Sequence, residues 1–552
     1  MITTDTTAVL GSRCLEDLVP RHPVAQFNLA VEPWIPVVTD RGAESLGFVE
    51  VLTRSHEIHD LAIVDPLEKY ALIRYLLAMT YLAHAYDPEG AWEAAARGEQ
   101  GHWPPLPARG VESVVARMRG QWWLFHPEHP FAQTPALISL MSKQVSSKDT
   151  VETMTEGYEC LIPFRPAKSN ESWWYKAQGE ALNECDAPLA LLSRHFAAVI
   201  GNEAGVMGKS TSHCEGGVMV AGPQEVTSLV FEADRLSATL AGNLVEKISD
   251  TVTPDSVLFF EAPLDVAAHL DDALYLFTAS GGAAFLVWPG PSAGVSQVLR
   301  APLPVSETTA KQLMVDARLS DPHVLRALQR PGSPDASNPN KGIIAFSSAA
   351  TQFQNVFAMY RKTTLGMEDL RDSIITPRAL LFIRDSYRRL AGVTVSGGGN
   401  FTGMRIKATT AVSLNPAPLT LEGPRAQTLR FMLGHLADRS SSCLSQLSYE
   451  IEQALGGVVT PGPAKSKALR REAATILWAD VDKSIDDLYH RIATVPLDQL
   501  PEDLPADLKT TWISATVRVF DTITATYTQS PRVRARVHEH RFSLGRALWN
   551  KL

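Results

Sequence analysis

The sequence predicts an α+β protein, with a large mixed N-terminal domain followed by a C-terminal four-helix bundle. Three observations predict it. Between about residue 120 and residue 420, short apolar runs such as 257–260 and 285–288 alternate irregularly with Gly/Pro/Ser clusters. The tract SLNPAPLTLEGP, residues 413–424, carries three prolines and a glycine and suits a domain boundary. Beyond it the apolar residues recur at helical spacing to the end of the chain. With 552 residues, 45% of them apolar, the chain can bury two or more cores.

Residues 1–26 show no sustained period and are expected to be a flexible extension or the product of an upstream start codon. The mixed domain is expected over 27–420. It opens with FNLAVEPWIPVV, in which residues 34–38 suit a short strand bounded by prolines. A helix should follow: Asp65 can cap it, Pro66 suits its first position, and Glu68 has capping-box spacing ahead of Tyr70, Ile73 and Leu77. The bundle is expected over 425–552. Its first helix carries Leu429, Leu433, Leu436, Leu444, Leu447 and Ile451 and stops at Gly456 and Gly457. The second carries Trp478, Val481, Ile485, Leu488 and Ile492, and the third Ile513, Val517, Phe520 and Tyr527. A fourth, from about Arg532, places Val533, Val537, Leu544 and Leu548 on one side, and short connections make an up-and-down arrangement.

Net charge is -9, so the chain is not the basic body of a free-standing nucleic-acid binder, and any such contact must be local. Cys14, Cys160, Cys185, Cys214 and Cys443 lie far apart with no C-x-x-C pair, the pattern of reduced cytosolic thiols. No run approaches about 18 apolar residues, and no basic-then-apolar segment opens the chain, so a cytoplasmic protein without a membrane span is expected.

Residue patterns argue against catalysis. His126, Glu128 and His129 in WWLFHPEHPFAQ are separated by Pro127 and Pro130, which preclude the helical i, i+4 geometry of a zinc protease motif. There is no G-x-S-x-G elbow or Walker loop, and His213 and Cys214 are neighbours without an orienting partner. The chain is therefore expected to be no enzyme and to need no metal or other cofactor.

Four stretches admit a binding role beside a plainer one. Residues 201–217, GNEAGVMGKSTSHCEGG, gather five glycines around Lys209. They suit either a surface loop or a backbone cradle for phosphate or a groove edge. SGGGNFTGMRIK, residues 396–407, suits either a hairpin turn or a loop inserted at a duplex, with Arg405 and Lys407 as flanking phosphate contacts. From Phe164, FRPAKSNESWWYKAQGEA interleaves Arg165, Lys168 and Lys176 with Trp173, Trp174 and Tyr175, either buried anchors or a grip on single strands. The last helix carries Arg532, Arg534, Arg536, Arg541, Arg546 and Lys551 against Glu539, either a solvated face or a docking one.

Taken together, FNLAVEPWIPV, FHPEHPFAQ, and FEADRLSATLAGNLV from Phe231, the last followed downstream by Trp288 and Pro289, resemble the CasA family. That family provides the large subunit of the type I-E CRISPR Cascade surveillance complex. The resemblance runs from about residue 27 to the end and implies a non-catalytic scaffold. It would recognise a protospacer-adjacent motif in double-stranded target DNA, assist duplex opening and recruit a helicase-nuclease. Its other partners would be the remaining Cascade subunits and the guide RNA 5′ end.

Carried over by position, the resemblance makes Gly201, Asn202, Gly205, Gly208 and Lys209 the motif-binding loop and Gly399, Asn400, Phe401, Thr402 and Gly403 a wedge. Phe164, Arg165 and Lys168 would meet guide RNA and neighbouring subunits. Thr402 and Gly403 stand where some members present amide side chains, and Ala279 where some carry a groove-contacting lysine. A different motif preference is implied. Some relatives also carry a cysteine cluster suited to zinc, which this chain lacks. From another class, an α+β enzyme binding a phosphorylated small molecule through its glycine loops stays open, as does a structural adaptor.

Overall fold

In a computed structural model, the described residues are 26–85, 108–117, 122–126, 130–133, 156–161, 182–201, 213–215, 219–221, 226–243, 283–289, 294–304, 323, 326–327, 374–375, 389–398, 405–414, 423–456, 472–474, 476–477, 485 and 487–551. The chain divides into two compact units, 1–326 with 330–345 and 376–412, and 327–329 with 346–375 and 413–552. The strand-like run expected at 257–260 lies outside the described residues.

Strands β1 (Gln26–Asn28), β2 (Ile35–Thr39) and β3 (Gly42–Leu46) lead into helix α1 (Phe48–Thr53), β4 (Ile58–Leu61), α2 (Pro66–Ala85), α3 (Ala108–Arg117) and β5 (Trp123–Phe125). After β6 (Glu156–Gly157) come α4 (Asp186–Phe196), β7 (Ala197–Gly201), β8 (His213–Glu215), β9 (Met219–Ala221), β10 (Val226–Glu232) and α5 (Leu236–Gly242). Then follow β11 (Ala283–Pro289), β12 (Val295–Pro304), the short β13 (Arg326–Ala327) and β14 (Ile374–Ile375), β15 (Arg389–Gly398) and β16 (Arg405–Leu414). The helical part holds α6 (Gly423–Leu455), α7 (Ala506–Ala525) and α8 (Pro531–Lys551). Mixed sheets with a helix-rich C-terminal part make this an α+β fold, as the irregular alternation of patterns predicts.

The first unit is organised around α2. Asp65 caps it, its Oδ1 accepting from Leu67 N at 2.7 Å and Glu68 N at 3.2 Å, as the sequence predicts. The apolar face expected from Tyr70, Ile73 and Leu77 is wider in the structure. Leu72, Tyr75 and Leu76 are buried too, because α3, α4, α5 and β15 all pack on this helix. A ring cluster fills the space beside it. Trp34 meets Phe131 with centroids 6.2 Å apart, Phe131 meets Tyr75 at 5.7 Å, Tyr75 meets Phe48 at 5.6 Å and Phe48 meets Trp122 at 4.5 Å. Trp34 Nε1 donates to Leu29 O at 2.9 Å, so even its polar edge is satisfied inside the core.

Sheet order is β3-β2-β4 in one sheet, β10-β15-β16 in a second, and β11-β12-β8-β7-β9 in the largest, with β6 also on β12. The strand predicted at 34–38 is β2, shifted by one residue.

In the second unit α6, α7 and α8 pack on one another through Leu429, Leu436, Leu447, Ile451, Trp512, Phe520, Val537 and Leu544, all buried. The expected third helix ends at Ala525, before Tyr527, whose N–H closes a turn on Thr524 O. The expected second helix is described only in part, helical at 472–474, 476–477, 485 and 487–494, with Ile485, Leu488 and Ile492 buried; Trp478 and Val481 fall outside the described residues. Arg425 donates to Ile492 O at 3.1 Å and Val495 O at 2.9 Å, meeting carbonyls that the helix end leaves without partners. Among the described residues no helix is long and apolar enough to cross a membrane.

Burial, with Asp65 and then Asp186 nearby, pushes the Glu68 carboxyl up to about 7 from its ordinary 4.5. A carboxyl raised in the folded state binds its proton more tightly there than in the unfolded chain. Folding stability should therefore fall as pH rises from about 4.5 through 7, by at most about 3 kcal/mol from this group. Urea unfolding at pH 5 and pH 8 checks it: Glu68→Gln should gain stability relative to the parent at pH 8 and show no such gain at pH 5.

Candidate nucleic-acid interface

Strand β10 and the residues after it form one fastening. β10 pairs antiparallel with β15 over its whole length, from Val226 opposite Val395 to Glu232 opposite Arg389. On its other edge, among the described residues, the partners come from His323 and Asn243. Leu229 N donates to His323 O at 3.0 Å, and His323 Nδ1 donates to Leu229 O at 3.0 Å. Phe231 N donates to Asn243 Oδ1 at 3.1 Å, and Asn243 Nδ2 donates to Phe231 O at 2.8 Å. A side-chain amide thus imitates the neighbour that an edge strand lacks.

The turn into α5 is tied in the same way. Ala233 N donates to Thr239 Oγ1 at 3.0 Å, and Arg235 donates to Glu57 O at 3.1 Å and Asp40 Oδ1 at 3.2 Å. Hydrogen bonds from His59 and Arg235 hold the exposed Asp40 carboxyl below the usual carboxylate range. Across the ladder, Gly392 sits so close to β10 that a Cβ there would lie 1.9 Å from Ser228 O.

At the Glu232 end a buried carboxylate gathers its partners. It accepts from Tyr70 OH at 2.9 Å and from the Arg389 guanidinium, and the Lys69 ammonium lies 3.7 Å away. Lys69 also reaches Asp60 at 2.7 Å. Burial, then the charge of Glu232, raises the Tyr70 phenol well above the ordinary tyrosine range, so the phenol stays protonated and donates.

At the opposite end of the ladder the two glycine stretches take root. Gly201, the last residue of β7, pairs with His213 in β8, so 202–212 leave and re-enter adjacent strands. β7 runs parallel to β9, Val199 opposite Ala221. Only 222–225 separate Ala221 from Val226, a span of at most about 18 Å. Val226 in turn faces Val395, three residues before β15 ends at Gly398. β9 also packs directly on β10 and β15. Gly201 and Gly398 therefore leave from the same end of adjoining sheets, and 399–404 join β15 to its hydrogen-bonded neighbour β16.

Of the expected site residues, the structure describes three. Gly201 ends β7, and Arg405 and Lys407 are the first and third residues of β16. Asn202, Gly205, Gly208, Lys209, Gly399, Asn400, Phe401, Thr402, Gly403, Phe164, Arg165 and Lys168 lie outside the described residues, as do Glu128 and His129. His213 and Cys214 sit inside the largest sheet, with Cys214 between Ile200 and Leu303. On α8, Arg541 pairs with Asp521 at 2.7 Å, Arg536 donates to Gly456 O and Arg534 Nε donates to Thr528 O at 3.2 Å, so three of its arginines serve internal contacts. Among the described residues no group of three His, Cys, Asp or Glu gathers as a metal site. The Glu232 cluster carried no sequence signal as a set, because Asp60, Lys69, Tyr70, Glu232 and Arg389 come from four separate stretches of chain.

Residues 28–519 match the family described as CRISPR-associated protein Cse1. The chain belongs to the Cse1 family. CRISPR-associated protein CasA/Cse1 of Thermus thermophilus is 36% identical over 112 residues, which cover 20% of this chain and 22% of that one. The aligned stretch thus spans about a fifth of the curated relative. The crystal structure of Thermus thermophilus CasA superposes with a TM-score of 0.64 at 16% identity, covering 95% of this chain and 100% of that one. A chain of a CRISPR RNA-guided surveillance complex gives 0.55 at 17% identity, covering 94% and 100%. At such identities these likenesses show a shared Cse1 fold.

The fastening around β10 makes two predictions in urea or thermal unfolding. Asn243→Ala, which strips the partners from Phe231 N and O, should cost about 3 kcal/mol. Gly392→Ala should cost at least as much, because the added carbon meets backbone that must move apart. A loss below about 1 kcal/mol for both would mean that β10 is not held this way.

Proposed function

We propose that this chain is the large, non-catalytic subunit of a type I-E CRISPR RNA-guided surveillance complex, working in the cytoplasm. It recognises a protospacer-adjacent motif in double-stranded DNA, helps to open the duplex and recruits a separate helicase-nuclease. The Cse1 family membership and the fold shared with a chain of a surveillance complex support the assembly. The observation that carries the DNA reading is the common root of the two glycine stretches, beyond Gly201 and beyond Gly398. Two loops leaving one end of adjoining sheets can touch neighbouring steps of a single duplex.

In this reading Gly201, Asn202, Gly205, Gly208 and Lys209 approach the minor groove, where the absence of Cβ atoms lets backbone N–H groups come close. Groove reading of that kind is degenerate and tolerates several motifs. Gly399, Asn400, Phe401, Thr402 and Gly403 enter at the first base pair beyond the motif, with Arg405 and Lys407 on flanking phosphates. Unstacking a step costs a few kcal/mol, which the adjoining contacts offset. Phe164, Arg165 and Lys168 meet the guide RNA 5′ end and other subunits of the complex. A short motif read by protein and a long target read by pairing is a workable division of labour. It also suits a chain of net charge -9, whose DNA contacts are local and whose phosphate neutralisation is shared with other subunits. The C-terminal part is read as a four-helix bundle over 425–552, after a mixed domain over 27–420.

Gel-shift titration of the reconstituted complex tests the groove loop. Lys209→Ala should weaken binding and lower the salt slope by about one. Gly205→Val with Gly208→Val should narrow the affinity gap between motif-bearing and motif-free targets. Unchanged discrimination would remove this loop from the account. Deleting 399–403 should leave duplex binding in place and impair strand opening, which permanganate footprinting reads; normal opening would remove the wedge.

A further inference from the structure

We propose that the outward face of α8 is a docking surface for a second copy of this chain, the two α8 helices lying antiparallel. The inward face is accounted for: Val533, Val537, Leu544 and Leu548 are buried, and α8 packs on α6 and α7. On the opposite face two large rings stand in the open, Phe542 at 76% exposure and Trp549 at 66%. They lie seven residues apart, two turns along one stripe of the helix. Single exposed rings are ordinary, but two on one stripe of a polar helix mark a surface that associates.

The rest of the stripe says with what. Glu539 stands one turn before Phe542 and Arg546 one turn after it, on the same flank, and both are exposed. The other flank carries His538 and Gly545, and a Cβ added at Gly545 meets nothing within 4 Å, which leaves a shallow gap beside a protruding ring. A face that sets a ring beside a gap, and an acid and a base to either side of one centre, is complementary to itself when turned end for end. In that register Phe542 of each copy sits in the gap at Gly545 of the other, and Trp549 lies over His538 of the other. Antiparallel helices set the same flank of each side by side. Glu539 then comes within about 3 Å, along the axis, of the level of Arg546 in the second copy, inside the reach of its long side chain, and the pair occurs twice. Parallel packing would set Arg546 on Arg546 and Glu539 on Glu539.

Single-stranded nucleic acid is the competing occupant, since rings interleaved with arginine suit stacked bases. Two observations favour the second copy. Glu539 stands where a phosphate backbone would run, and Arg534, Arg536 and Arg541 are turned to Thr528 O, Gly456 O and Asp521. One helix face buries less than the ~800 Å² per partner of a standard interface, so the dimer is weak, with Kd on the order of 10 µM.

Sedimentation equilibrium of the full chain from about 1 µM to about 100 µM, with no nucleic acid present, reads the association. The parent should pass from monomer to dimer across that range. Phe542→Ser, Trp549→Ser and Gly545→Gln should each weaken it at least about fivefold without lowering the unfolding temperature, because the two rings are exposed and Gly545 has room in the single chain. Glu539→Arg and Arg546→Glu should each weaken it as much. The double variant, and an equimolar mixture of the two single variants, should return to within about twofold of the parent, because each then sets opposite charges together again.

A parent that stays monomeric at about 100 µM, or a dimer that these variants leave unchanged, would overturn the proposal. So would charge reversals that weaken association with no recovery in the double variant or the mixture, since the antiparallel register requires it. Anisotropy with a labelled oligothymidine of about 20 nucleotides covers the other occupant. Binding that is lost in Phe542→Ser and Trp549→Ser, from a chain that does not self-associate, would assign the face to nucleic acid instead.

Discussion

Strand β10 has to be satisfied on both edges while its partner β15 comes too close at Gly392 to allow any side chain. Much of the first unit follows from that. Asn243 returns from the end of α5 to imitate a strand on one edge, His323 does the same two residues along, and Glu232 ends the ladder in a carboxylate shared with α2. Each closure removes a buried backbone group that would otherwise stand unpaired, at about 1–3 kcal/mol apiece. With the edge closed, the strand that leads to Gly398 has a defined path.

The three sequence anchors turn out to be parts of this scaffold. FNLAVEPWIPV contributes Trp34, FHPEHPFAQ contributes Phe131, and the two rings touch. Gln133 ends the second anchor, donating to Leu124 O at 2.7 Å and accepting from Val287 N at 2.9 Å, one residue before Trp288. Ala132 just before it has φ of +53°, a left-handed conformation that a non-glycine residue adopts only when its surroundings hold it. FEADRLSATLAGNLV supplies Phe231, Glu232, Thr239 and Asn243 to the β10 fastening. Ordered anchors identified the family because they build its core, which also explains why none of them carried chemistry by itself.

Local signals were legible where one stretch of chain decides the outcome. Asp65 and Pro66 start α2, the proline-rich tract precedes α6, and Gly456 follows its last turn. Two kinds of feature were not legible. The full burial of α2 depends on four elements that pack on it from elsewhere, and the Glu232 cluster draws on residues from Asp60 to Arg389. Composition could not rank the glycine stretches either, since a cradle and a plain turn need the same residues. Their common root is a property of strand order: β7 beside β9, then β10 beside β15.

The central claim is that the stretches beyond Gly201 and beyond Gly398 act side by side on one duplex. Photo-crosslinking tests it most directly, with a benzophenone amino acid at position 202 or 402 of the assembled complex on motif-bearing target DNA. The account predicts crosslinks from 202 within the motif and from 402 at the first base pair beside it. Crosslinks to well-separated parts of the duplex, or to guide RNA alone, would contradict it.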